Sequence, residues 1–242
     1  MLRGIGGRPI FADKRDKVRF CLILQAAHKR HDFRVHACCR MSNHLHLLIE
    51  PRASSLTKFV HAFASKYAQA FNRRHKRNGY LFQGRFRSIP VQDGLYLKRL
   101  IRYVHLNTIE AGLTLLPEDF PWSSHRTYLD LDSYTWLSTQ RVLKKFGNDP
   151  AEAIKNLNGF LHRKVEAQID FEIISQASSI GMYGSEAFMK EVLPDYEVDD
   201  CFNSTEKESL GLDVALMKVC EAFDVNMKQL MSSTKGRRVT DA

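Results

Sequence analysis

Apolar residues along this chain switch between two spacings, and each switch predicts an element. Across residues 13–30, Asp13 and Asp16 stand in a first turn, and Val18, Cys21, Leu22 and the run 24–26 supply apolar surface, which predicts a helix. Residues 33–37 alternate and predict a strand. A turn over residues 40–43 returns the chain into the extended apolar run 44–50, making an antiparallel pair. Leu56, Phe59, Val60, Phe63, Tyr67 and Phe71 then recur at helical spacing, with Ser54 or Ser55 placed to cap and Asn78-Gly79 to stop. Residues 87–92 predict a short strand, at an edge because of Pro90. Leu97, Leu100, Ile101 and Val104 restore the helical period over 95–111, and Gly112 closes it.

Helix, strand, strand, helix, strand, helix is close to the β-α-β-β-α-β ferredoxin-like order, with the opening strand missing. The expected class is α+β, an antiparallel sheet with helices on one face, followed by a mainly helical C-terminal region. Past Trp122 the pattern changes. Residues 131–150 are mixed, 151–176 predict a helix, 195–204 form an acidic connector and 212–231 carry a further helical pattern. This divides the chain into a domain over 1–130, a helical connector over 131–204 and a terminal segment over 205–242.

Composition narrows the function classes. With 242 residues and 44% hydrophobic content, a packed core is affordable. No apolar run is long enough to span a bilayer and the start lacks a secretory signal, so a cytoplasmic, nucleoid-associated protein is expected. The five cysteines include no C-x-x-C pair and suit reduced, buried thiols. The formal charge of +9 is clumped. Arg73, Arg74 and Arg77 form one cluster with His75 and Lys76, Arg85 and Arg87 a second, Arg99 and Arg102 a third with Lys98, and Lys235, Arg237 and Arg238 a fourth. Basic clusters beside Tyr80, Phe82 and Phe86 fit a phosphate backbone with splayed bases.

The chemistry concentrates in two places. His44 and His46, two apart on a strand, point to one side while Leu45, Leu47 and Ile49 face a core. Tyr103 and Asn107, four apart, share a helical face. His44, His46 and the Asn107 carbonyl oxygen can hold a hard divalent ion such as Mg²⁺ or Mn²⁺, with the Tyr103 phenolate attacking a phosphate polarised by it.

Six runs in a fixed order carry a resemblance. They are Met41-Ser42-Asn43-His44-Leu45-His46-Leu47-Leu48, Phe71-Asn72-Arg73-Arg74-His75, Gly79-Tyr80-Leu81-Phe82-Gln83-Gly84-Arg85-Phe86, Arg102-Tyr103-Val104-His105-Leu106-Asn107, Ala111-Gly112-Leu113 and Pro117-Glu118-Asp119-Phe120-Pro121-Trp122-Ser123-Ser124. Over residues 3–129 the chain resembles the REP-associated tyrosine transposases of the HUH single-strand endonuclease superfamily. The resemblance implies a ferredoxin-like catalytic domain that nicks single-stranded DNA near palindromic hairpins. It makes His44 and His46 metal ligands, Tyr103 the nucleophile and Asn107 the completion of the metal sphere. Two departures stand out. Thr108-Ile109-Glu110 replaces the usual Pro-Val-Arg, which reverses a charge near the site. The family's first strand is expected to be absent, through a late start or a decayed gene copy. Residues 214–242 are similar to the C-terminal DNA-binding domain of the bacterial replication initiator, broken off where its recognition helix would begin.

Three functions compete: a tyrosine endonuclease and strand transferase, a hairpin-binding module or transposase remnant without catalysis, and a hydrolytic zinc enzyme. The last lacks a third histidine or acidic ligand at a familiar spacing. Nothing in the pattern distinguishes a monomer from a homodimer.

Overall fold

A computed structural model describes residues 1–52 and 55–192. A three-stranded antiparallel sheet of order β1-β3-β2 organises them, from β1 (Leu2–Arg3), β2 (Phe33–Arg40) and β3 (His44–Pro51). Between β1 and β2 runs α1 (Lys14–Arg30), begun by the Asp13 carboxylate, which accepts from the Asp16 amide. α2 (Leu56–Arg74) follows β3, with Ser55 at its N-cap position making no side-chain hydrogen bond to it. α3 (Leu95–Glu110) comes next, and short α4 (His125–Tyr128) and α5 (Gln140–Leu143) lead to α6 (Pro150–Leu161), α7 (Lys164–Ile180) and α8 (Glu186–Val192). The chain is α+β, as the pattern predicts.

The sheet is covered on both sides. α1 and α2 pack through Phe20, Leu24, Phe59, Phe63 and Tyr67 against Phe33, Val35, Cys38 and Leu45. α3 packs the opposite face, where Ile101 and Val104 meet Ala37, Cys39 and Leu48. The expectation of helices on one face therefore holds for α1 and α2 but not for α3. β2 serves both layers by the alternation of its side chains, and the register shift in its pairing with β3 between Val35 and Ala37 puts Phe33, Val35 and Cys38 on one face and Ala37 and Cys39 on the other. A bulge of this kind makes residues on its two sides alternate out of step.

Three further expectations need correcting. The opening strand is not wholly missing. Leu2 and Arg3 pair with Leu45 and His44, beside the histidine strand. The predicted strand over 87–92 does not form, and residues 81–87 instead run along the outer side of β1. Gly4 bridges Phe82, the Gln83 amide bonds the Arg3 carbonyl at 2.8 Å, and Arg87 and Met1 exchange hydrogen bonds. The single helix predicted over 151–176 is two, α6 and α7, broken at His162 and Arg163. Buried Ala153, Leu157 and Leu161 give α6 its inward stripe, and His162 caps it with its backbone amide bonded to the Asn158 carbonyl.

The free edge of β2 is closed by the chain that follows α3. Cys39 bridges Ser123 and Val35 bridges Leu137. Arg40, with no exposed surface, fixes this closure. Its guanidinium donates to the Trp122 carbonyl, the Tyr134 hydroxyl and the Cys21 sulfur, and lies over the Trp122 and Tyr134 rings. Cys21, Cys38 and Cys39 are unpaired thiols. The acidic connector, the 212–231 pattern, Cys201, Cys220, Lys235, Arg237 and Arg238 lie outside the described residues.

Candidate functional site

The site begins on β3, where alternation turns His44 and His46 to one side of the sheet. Their ring centroids are 5.0 Å apart at 84°. His44 Nδ1 lies 2.7 Å from the Asn43 amide oxygen, whose nitrogen donates to the Gly7 carbonyl. That chain fixes a proton on Nδ1 and leaves Nε2 as the lone-pair nitrogen, the arrangement in which an outer carbonyl orients a ligating imidazole. His46 is buried, and burial, followed by the nearness of His44, holds it down to about 3. Burial and then Arg3 lower His44 as well. Both rings stay neutral at physiological pH, the form that binds a metal.

α3 supplies the second half. Its Tyr103 ring packs edge-on to His46 at 5.4 Å and lies 4.8 Å from Phe171 of α7. Burial pushes the phenol up from its ordinary value, while Asn107 pulls the other way. One turn on, the Asn107 Nδ2 donates to the Tyr103 backbone carbonyl at 2.6 Å, which leaves the amide oxygen as the atom available to a cation. The rigid strand and helix thus bring His44, His46 and Tyr103 into one row, with Asn107 one turn from the tyrosine. Two neutral imidazoles and an amide oxygen are a donor set that suits a divalent ion. Among the described residues, no group of three or more histidine, cysteine or acidic side chains could hold a metal.

The predicted DNA-facing arginines separate into two sets. Arg73, Arg85 and Arg87 are exposed and Arg77 is half-buried with its guanidinium over the Phe71 ring. Tyr80, 85% exposed, stands among them. The other set is absorbed by the protein. Arg74 pairs with Asp13 and Asp16. Arg102 is 2% exposed, donates to Asp170 at 2.7 Å and to the Phe160 carbonyl, and lies over the Phe160 ring. Arg99 sits 3.5 Å from the same carboxylate. Arg102 therefore cannot face DNA, and this corrects its assignment from sequence.

Sequence reasoning missed Asp170 and Phe171, which lock α7 onto α3 over the tyrosine. The available signal was an aspartate between Ala167 and Ile174 on an apolar helical face, where a buried partner is required. Comparison with family models matches residues 6–107 to the family described as Transposase IS200 like. The span includes His44, His46, Tyr103 and Asn107. Comparisons with curated proteins and with solved structures found no match.

Proposed function

Through residues 6–107 the chain belongs to the family of IS200-like transposases, and we propose that it is a metal-dependent endonuclease and strand transferase that attacks single-stranded DNA near hairpins with Tyr103. The observation that carries this reading is the row in which Tyr103 stands 5.4 Å from His46 and His46 5.0 Å from His44. A nucleophile and a pair of neutral ligands are held on separate rigid elements within one small volume.

His44, His46 and the Asn107 oxygen would hold Mg²⁺ or Mn²⁺, which when bound supplies Lewis-acid polarisation of the phosphate oxygens. The residues do the rest. Asn43 orients His44, and burial keeps His46 neutral. α3 presents the Tyr103 hydroxyl, whose oxygen forms a bond to phosphorus as the bond from phosphorus to the 3′ oxygen breaks. The phenol proton ends on the departing 3′ hydroxyl, and the phosphotyrosine keeps the ester for later rejoining. Phe171 covers one side of the ring and limits water around it. Arg73, Arg77, Arg85 and Arg87 engage the phosphate backbone, and Tyr80 offers an exposed ring for a base to stack on.

The test is a labelled library of single-stranded DNA carrying short hairpins, incubated with the chain and Mg²⁺ or Mn²⁺ and resolved on denaturing gels. The expected result is a covalent adduct with the intact chain. Tyr103→Phe removes that adduct and leaves hairpin affinity within about twofold, since a single hydroxyl contributes little to binding a polyanion. Adduct formation that survives Tyr103→Phe overturns the assignment of the nucleophile. Tight hairpin binding with no adduct from the intact chain reduces the protein to a DNA-binding module.

A further inference from the structure

The region read from sequence as a helical connector carries side chains that reach the site from outside the span shared with the transposase family, residues 6–107. α3 bears Tyr96, Leu100 and Tyr103 at spacings of four and three, which places them in one stripe. Ile174 and Ala177 of α7, with Tyr183 just after it, pack against that stripe. Tyr96 meets the Tyr183 ring edge-on at 5.0 Å, and Tyr103 meets Phe171 at 4.8 Å. The helix that bears Tyr103 is therefore flanked along its length by residues that follow the family span.

Two ionic ties fix where α3 lies. Near its middle, Arg102 meets the Asp170 carboxylate through Nε and Nη2, at 2.7 and 2.6 Å. The same guanidinium donates to the Phe160 carbonyl of α6 at 3.0 Å. This pair is buried, so solvent screens it little. At the start of α3, Asp93 accepts from the Gly94 amide at 2.7 Å and from Lys145 at 2.9 Å. Arg141 of α5 joins Asp93 to Glu50, near the end of the histidine strand. The strand with His44 and His46 and the helix with Tyr103 are thus held by side chains at 141, 145 and 170.

Such ties place a backbone but do not set a side chain. A tyrosine on a helix keeps a choice of staggered χ1 rotamers, and a change of rotamer carries its hydroxyl several ångströms. Two rings remove that choice. His46 touches the Tyr103 ring from β3 with the planes at 81°, and Phe171 touches it from α7 at 50°. We propose that α7 is the positioning element of the site, with Phe171 the positioning residue that holds the Tyr103 ring against His46. Its use in strand cleavage rests on the reading of Tyr103 as the attacking group, whereas the hold on the ring does not. Misplacing a reacting atom by about 1 Å can slow a reaction on the order of a hundredfold, so this contact acts on rate rather than on DNA affinity.

Phe171→Leu keeps an apolar side chain but removes the flat ring, and Phe171→Tyr restores the ring. Unfolding midpoints of both should stay near that of the intact chain, since apolar swaps of similar volume cost little. Single-turnover adduct formation is followed on a hairpin oligonucleotide with Mn²⁺ over a range of DNA concentrations. Phe171→Leu should lower the rate at saturating DNA on the order of tenfold with the half-saturating concentration within about twofold, and Phe171→Tyr should keep the intact rate. A loss that vanishes at saturating DNA, or an equal loss in Phe171→Tyr, overturns the proposal. A meta-fluorotyrosine at position 103 reads the ring without DNA. Its fluorine resonance should be displaced from that of the free amino acid in the intact chain and in Phe171→Tyr, and in Phe171→Leu it should narrow and move toward the free position. A resonance that Phe171→Leu leaves unmoved overturns the proposal whether or not an adduct forms. A resonance that does move, in a chain that forms no adduct, keeps Phe171 as the residue holding the ring and refutes the endonuclease reading alone.

Discussion

His125 and His105 face one another in the interior with ring centroids 5.1 Å apart. His105 reaches the Ser124 hydroxyl at 3.0 Å, whereas both ring nitrogens of His125 are buried without a hydrogen bond, and Glu118 stands 3.8 Å away. Burial, helped by His162, holds His125 down to about 4 from 6.5. The unfolded chain thus takes up a proton that the folded chain refuses between those two values. Stability from this residue is complete above pH 6.5 and is lost as pH falls toward 4, by roughly 3 kcal/mol at about 1.4 kcal/mol per unit. Urea unfolding midpoints should drop between pH 7 and pH 5, and His125→Leu should flatten that drop. An unchanged slope in the variant would assign the proton uptake to other groups. The same scale shows what a sequence discloses about a site. His44 and His46 are legible because a spacing of two on a strand fixes a common side, and Tyr103 because its helix is amphipathic. Arg102 is not. An arginine on a helix next to Tyr103 reads as a phosphate contact until Asp170, far along the chain, is found against it.

That pair governs how an element is attached. α7 is held to α3 by Asp170, which receives Arg102 at 2.6–2.7 Å with Arg99 near, and by the Phe171 contact to Tyr103. Burial pushes the Asp170 carboxyl up in spite of both arginines. Asp170→Ala should cost about 3–5 kcal/mol, because it leaves a desolvated guanidinium without its partner. A joint Arg102→Leu, Asp170→Leu variant should recover much of that loss, since an ion pair replaced by apolar side chains of similar size is often neutral. Chemical denaturation measures both, and a single-variant loss below about 1 kcal/mol would show that α7 is held by packing alone. The elements that sequence located well are α1, α2 and α3, whose local hydrogen bonds and apolar spacing agree. Those it misplaced depend on distant partners. β1 exists because Leu45 and His44 accept two residues, and 87–92 fails to become a strand while it bonds Met1 and Tyr183 at separate points. The break between α6 and α7 at His162 and Arg163 is not marked by any Gly or Pro, so the sequence carries no local signal for it.

The net charge of +9 measures no binding surface until its internal uses are removed. Arg74 is spent on Asp13 and Asp16, Arg99 and Arg102 on Asp170, and Arg141 and Lys145 on Asp93. What stays at the surface near the site is Arg73, Arg85 and Arg87, with Arg77 and Tyr80 among them. These residues lie at the end of α2 and along 81–87, and that segment touches β1, which pairs Arg3 with His44. A backbone bound to this strip therefore leads directly toward the histidines. Affinity for single-stranded hairpin DNA should fall with salt, and replacing Arg73, Arg85 and Arg87 with Gln should lower the slope of log K against log salt by about 2, at ~0.7 for each phosphate left without its arginine. Arg74→Gln should leave that slope unaltered and lower the unfolding midpoint instead, because its partners are Asp13 and Asp16. Filter binding at several salt concentrations separates the two outcomes. An unchanged slope in the triple variant would move the DNA path off this strip, and a reduced slope in Arg74→Gln would mean that DNA competes with the two aspartates for the same guanidinium.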